Sequence, residues 1–216
     1  MEKEKQDGLL VPREAYLESG IHIGTKVKNN DMVSFIFKKR EDGLFVLDIT
    51  KINERLRRAI GIISKYKPSD VMVVASRIYS SSAAAKFSKL TGIEVMDGRF
   101  VPGTMTNITS KKFKEPRLLF VCDPRGERQA IAEAAKVGVP VIALCDSDNE
   151  TKFIDYVIPA NNKGRKSLAL IFFIFTREIM LKQGKISSYD EFKFTPQYFE
   201  QLEEERREKV EKKEEE

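Results

Sequence analysis

Histidine occurs once in this chain of 216 residues, cysteine twice and tryptophan not at all. Any imidazole chemistry would have to use His22, and no second histidine exists to share a metal with it. Two thiols and one imidazole do not complete a zinc site without carboxylate help. Cys122 and Cys145 end two similar phrases, "LLFVCD" and "VIALCD", and read as small buried side chains at strand ends. No long apolar run is present. The longest, "LALIFFIF" at 168–175, falls far short of the roughly 20 residues a membrane span needs. The opening "MEKEKQDGLLVPRE" carries charges of both signs and no apolar stretch of signal-peptide length. A cytoplasmic location, with no membrane partner and no disulfide, is the expectation. Nucleotide motifs are missing too: no G-x-x-x-x-G-K-[ST], no G-x-G-x-x-G and no G-x-S-x-G occurs.

What the chain does have is charge, unevenly distributed. Its formal balance is +5, yet residues 200–216 hold nine acids and five bases. The other 199 residues therefore carry 33 bases against 24 acids, a balance of +9. A basic body with an acid-leaning tail suits a polyanionic partner, nucleic acid first.

The hydrophobic pattern divides the chain into a lead-in at 1–11 expected to be disordered, a body at 12–186 and a charged tail at 187–216. Pro12 opens a short amphipathic helix that Gly20 closes. "SFIFKKREDGLFVLDI" reads as a hairpin about Asp42-Gly43, and a helix follows with Ile52, Leu56, Ala59, Ile60 and Ile63 on one face. Then come continuous apolar, β-branched runs at 71–75, 117–122 and 140–145, the first two each followed by a polar turn and a helix. That alternation predicts a mainly parallel sheet covered by helices on both faces, a three-layer α/β/α fold. "YVIP" at 156–159 is a candidate extra strand, and 166–184 a mostly buried helix. Between Ile93 and Pro116 there is room for one short strand and then a long basic connection, a kind of segment that is usually functional or disordered. Tyr189, Phe192, Phe194, Tyr198 and Phe199 are spaced as anchors for the tail, on the body or on a neighbour.

Ligands of open α/β sheets bind beyond the carboxyl ends of the strands. Asp48, Asp123 and Asp146 fall at such ends, where aspartate could hold Mg²⁺ for a phosphate-handling enzyme but equally serves as a turn or cap residue. The basic elements make the stronger pattern. Arg77 sits at a helix start, Arg99 precedes Phe100, and "SKKFK" sets Lys111, Lys112 and Lys114 around Phe113. "DPRGER" supplies Arg125 and Arg128, and "NNKGRKS" supplies Asn161, Asn162, Lys163, Arg165 and Lys166. Cationic groups offset phosphate charge, asparagine reaches 2′-hydroxyls and an exposed phenylalanine stacks on a base. His22, Lys26 and Lys28 complete the candidate RNA-contacting set. For His22 itself, packing or hydrogen bonding is the better reading, because Gly20 and Gly24 suggest a tight passage where backbone approaches something closely.

Five phrases together resemble the small-subunit ribosomal protein S-two family: "YLESGIHIGTKVKNNDMVSFIF", "LFVLDITKINERLRRA", "GRFVPGTMTN", "PRLLFVCDPRGERQAIAEAAKVGVPVIALCDSD" and "YVIPANNKGRKSLALIFFIFTRE". The likeness spans about residues 13–184. "CDPR", "ALCDSD" and "IPANNKG" are similar to the archaeal and eukaryotic branch, whose eukaryotic member is also called the laminin-receptor precursor. The bacterial coiled-coil hairpin and the long eukaryotic tail are both missing, which points to the archaeal side. The resemblance implies a flavodoxin-like or Rossmann-like domain without cofactor. It also implies a structural role near the head–body junction and mRNA exit of the small subunit, in contact with ribosomal RNA and neighbouring ribosomal proteins. Catalysis is not implied. The alternatives are the Mg²⁺-dependent enzyme above and an RNA-binding adaptor outside the ribosome.

Overall fold

The computed structural model describes residues 8–202. The charged segments at 1–7 and 203–216, where part of the expected lead-in and tail falls, lie outside the described residues. Residues 8–11 belong to the packed body: the Leu10 amide donates to Asn53 Oδ1 at 2.8 Å, Arg57 donates to the Gly8 carbonyl at 2.6 Å, and Val11 is buried.

Helix α1 (Arg13–Ser19) follows Pro12, whose φ of −53° suits a helix start, and ends at Gly20 in the left-handed region at φ 67°. Strands β1 (Ile36–Lys39) and β2 (Phe45–Leu47) form the antiparallel hairpin about Asp42-Gly43. Helix α2 (Ile49–Ile63) is capped by Asp48, whose side chain accepts from the Thr50 amide at 2.9 Å. Its buried stripe is Ile52, Leu56, Ala59, Ile60 and Ile63, the face that the spacing predicts.

The main sheet comprises β3 (Val71–Ala75), β4 (Glu94–Asp97), β5 (Leu118–Val121), β6 (Val141–Cys145) and β7 (Tyr156–Pro159). All neighbours pair in parallel, in the order β4-β3-β5-β6-β7. Every residue of β3, β5 and β6 is buried, which is why these runs are apolar without alternation. Helices α3 (Ile78–Thr91) and α5 (Arg165–Lys182) pack together on one face. Phe172 of α5 sits 5.7 Å from Phe87 and 6.3 Å from Phe120, and Phe175 lies 5.1 Å from Phe120. Truncating such a fully buried phenylalanine costs about 3–5 kcal/mol. Helix α4 (Arg128–Val137) buries Ala130, Ile131 and Ala134 against the opposite face, completing three layers.

The chain then folds back on α5. Phe192 and Phe199 meet Phe173 at 5.6 and 6.4 Å, and α6 (Pro196–Glu200) packs on α3 and α5. A buried cation fixes the end of this segment: Lys86 of α3 donates to the Tyr198 carbonyl at 2.6 Å and also to the Gln201 carbonyl. The aromatic anchors up to residue 199 therefore dock on the protein's own body.

Candidate nucleic-acid interface

The strand order reverses between β3 and β5, so the ligand crevice of this fold opens at their carboxyl ends. Here an internal carboxylate occupies its backbone donors. Glu127, immediately before α4, is buried. One of its carboxylate oxygens accepts from the Ser76 amide at 2.8 Å and the Ser76 hydroxyl at 3.1 Å. The other accepts from the amides of Cys122 at 2.9 Å and Asp123 at 3.0 Å. Backbone donors converging on one point are what binds an anionic ligand in such a crevice. An internal carboxylate takes that position. Burial pushes Glu127 up to about 7, against the downward pull of these hydrogen bonds. Next to it, Asp123 accepts from the Arg125 amide at 3.1 Å and pairs with the Arg77 guanidinium at 2.6 Å.

The loop at 20–31 closes the ends of β6 and β7. The Thr25 amide donates to Ser147 Oγ at 2.9 Å, Ser147 Oγ to the Val27 carbonyl at 3.0 Å, and the Asn29 amide to the Ser147 carbonyl at 2.8 Å. Gly24 is pressed so close that a Cβ there would stand 2.8 Å from Ser147 Oγ and 3.0 Å from the Phe45 carbonyl oxygen. The tight passage that the glycines suggest is this crossing. His22 is half-buried in it, and its Nδ1 donates to the Tyr16 carbonyl at 3.3 Å, which fixes the tautomer. Partial burial lowers its pKa from the ordinary value, opposed by that hydrogen bond.

The basic connection after β4 is held from α4. Glu133 is buried, with its carboxylate accepting from the amides of Gly103 at 2.7 Å and Met105 at 3.1 Å and from Gln129 Nε2 at 2.8 Å. Burial alone would raise its pKa, but these hydrogen bonds outweigh that and hold it below the usual range.

The candidate RNA residues divide on this frame. Two need correction. Phe100 is 5% exposed and faces the core, so it offers no ring to a base. Asn162 is fully buried, its Nδ2 donating to the Leu144 carbonyl and to Asn149 Oδ1, both at 3.0 Å. Asn161 holds loops together, donating to the Gly20 carbonyl at 3.3 Å and accepting from the amides of Lys163 and Gly164. Several cations are paired internally: Arg77 with Asp123, Lys114 with Glu94 at 2.8 Å, and Lys163 with Asp148 at 2.9 Å and Asp146 at 3.2 Å. Arg165 donates to the Glu200 carbonyl at 2.9 Å. Lys26, Lys28, Arg99, Lys111, Lys112 and Lys166 are exposed and pair with no carboxylate among the described residues. Arg99 shares a groove with Arg128, beside Ser76 and Gly126, while Arg125 lines a neighbouring one.

Glu127, Glu133 and Lys86 carry much of this architecture, yet nothing in the sequence singles them out. In "DPRGER" and "AEAAK" the acids look like ordinary solvated helix residues. Cys122 and Cys145 are both free and buried, which raises both thiol pKa values.

These features define a doubly wound α/β protein of flavodoxin-like strand order whose crevice amides are taken by an internal carboxylate. The family model for ribosomal protein S2 matches residues 16–115 and 110–181, and the chain belongs to that family. It is 48% identical over 192 residues to the small ribosomal subunit protein uS2 of Thermoplasma acidophilum, covering 89% of this chain and 96% of the relative. Likeness to the uS2 protein of Methanococcus maripaludis is 49% over 191 residues, 86% of this chain and 87% of the relative. The Picrophilus torridus protein is 47% identical over 195 residues, 90% and 98% respectively.

Proposed function

We propose that this protein is a structural constituent of the small ribosomal subunit, binding ribosomal RNA and neighbouring ribosomal proteins rather than performing catalysis. Membership of the ribosomal protein S2 family carries this reading. The Glu127 carboxylate supports it, since the backbone donors that would bind an anionic ligand already serve it. RNA contact falls to the exposed cations that have no carboxylate partner among the described residues: Lys26 and Lys28 on the 20–31 loop, Arg99, Lys111 and Lys112 on the connection after β4, and Lys166. Arg77, Lys114 and Lys163 hold the fold through their carboxylate partners, and His22 positions the loop that carries Lys26.

The test is Lys111→Glu combined with Lys112→Glu, scored by binding of the purified protein to small-subunit ribosomal RNA across a salt series. Each lost phosphate contact should reduce the log–log salt slope by about 0.7–0.9. An unchanged slope removes that segment from the interface. The Mg²⁺-dependent reading finds each of its aspartates already engaged: Asp48 caps α2, Asp123 holds Arg77 and Asp146 holds Lys163. Saturable Mg²⁺ binding abolished by Asp123→Ala would favour it instead.

A further inference from the structure

One residue outside glycine has a positive φ among the described residues: Phe153, at 62°. It lies in a turn closed by the Ile154 amide to the Thr151 carbonyl at 3.0 Å. A bulky residue in the left-handed region is strained, and such strain persists only where the surroundings fix it. They do so here, because the Thr151 amide and hydroxyl both donate to Asp31 Oδ2 at 3.0 Å. The strained backbone does not serve to bury the ring. Phe153 is 57% exposed, with Lys152 Nζ 5.1 Å from its centroid.

The ring lines a groove of about 640 Å³ together with Val27, itself 64% exposed, and Ile131 of α4. Arg125, Arg128 and Lys152 also line it. The two arginine side chains are 78% and 85% exposed, and their carboxylate partners stand at 3.8 and 3.9 Å, long contacts that leave both guanidinium groups available. Those partners, Asp148 and Glu150, lie in the same groove. An RNA footprint is strongly positive, whereas this lining carries both signs around an apolar aromatic centre. Apolar centre, arginine and a mixed polar rim are the composition of a protein-binding hot spot.

We propose that this groove receives a segment of a neighbouring ribosomal protein, placing a large apolar side chain against Phe153, Val27 and Ile131 and an adjacent carboxylate on Arg125 or Arg128. The proposal rests on the ribosomal reading above and names one partner class for it. The strain at Phe153 fits this role: the turn holds an aromatic side chain outward, at a cost in stability, for a contact that the described residues do not supply.

The experiment places the photo-cross-linking residue p-benzoylphenylalanine at position 153 in cells and irradiates purified small subunits. The expected product joins position 153 to a peptide of another ribosomal protein, at or next to a large apolar residue with an acidic neighbour. A cross-link to RNA, a cross-link to this chain's own residues 203–216, or none at all overturns the proposal. Absence of the protein from small subunits would defeat the ribosomal reading itself, and sedimentation reports that separately. Phe153→Gly supplies the second readout. Glycine accepts φ 62° without strain, so the melting temperature of the isolated protein should rise by a few degrees. Retention on small subunits through a high-salt wash should nonetheless fall severalfold. Unchanged retention overturns the proposal whatever the melting temperature does.

Discussion

The Glu127 carboxylate accepts the Ser76 amide at 2.8 Å across the point where the strand order reverses, joining the end of β3 to the start of α4 through the fold's own ligand crevice. The same side chain gathers the amides of Cys122 and Asp123 from the end of β5. Glu127 thereby acts as a structural joint between β3, β5 and α4.

Glu127→Gln tests that joint. The amide side chain keeps the volume but turns an NH₂ group toward N–H donors, leaving at least one buried donor unpaired. A loss of about 1–3 kcal/mol is expected in urea unfolding below pH 4.5, where the wild-type side chain is protonated. The pH dependence carries a sign. With a folded-state pKa of about 7, above its ordinary value of 4.5, Glu127 favours the fold when protonated. Its contribution is full below the unfolded value and is lost as pH rises through about 7. The wild-type protein should lose on the order of 3 kcal/mol from this group between pH 4.5 and 7, relative to Glu127→Gln. Parallel stability profiles for the two proteins would contradict it.

Gly24→Ala drives a methyl group to 2.8 Å from Ser147 Oγ and 3.0 Å from the Phe45 carbonyl oxygen, a backbone atom that cannot rotate away. The loop must lift off β6, at about 1–3 kcal/mol. Hydrogen exchange of the Thr25 and Asn29 amides, both bonded to Ser147, should accelerate. Protection equal to wild type would show that the crossing is looser than these distances.

Lys86→Met removes a buried ammonium group that donates to the Tyr198 and Gln201 carbonyls. Methionine is apolar, so both carbonyls lose the Lys86 donation, and the Gln201 carbonyl retains Ser82 Oγ at 3.1 Å. Amide exchange over residues 196–201 should rise at least tenfold while β3, β5 and β6 stay protected. Uniform change across the chain would mean that the tail does not open independently.

The buried thiols give a probe of the whole body. Both are shut in at strand ends and held protonated by burial and by neighbouring carboxylates, Glu127 and Asp123 at Cys122, Asp123 and Asp146 at Cys145. A disulfide reagent should label neither in the native state and both in denaturant, so the labelling rate measures opening of the sheet. Rapid native labelling of either cysteine would contradict the packed sheet ends.

The parallel sheet was legible because β3, β5 and β6 are buried on both faces, which forces unbroken apolar runs. Edge strand β4, "EVMD", has no such run and shows only as room for a strand. The helical face of α2 was legible from its spacing, and Asp48 caps it. The site was harder to read. Phe100 and Asn162 carry the residue types of an RNA contact, and only the tertiary fold turns them inward. Arg77 and Lys163 look like free cations in the sequence because their partners lie 46 and 15–17 residues away. Gly24 was the exception. A glycine beside the chain's lone histidine signalled a close approach, and Ser147 is what it approaches.

The central claim is that this chain works as an integral part of the small ribosomal subunit. The most direct measurement is where the untagged protein sediments in a cell-extract gradient, at low salt and again at moderate salt. The expected result is one copy per small subunit in that peak under both conditions. Protein confined to the soluble fractions would contradict the account and favour a free-standing RNA-binding adaptor.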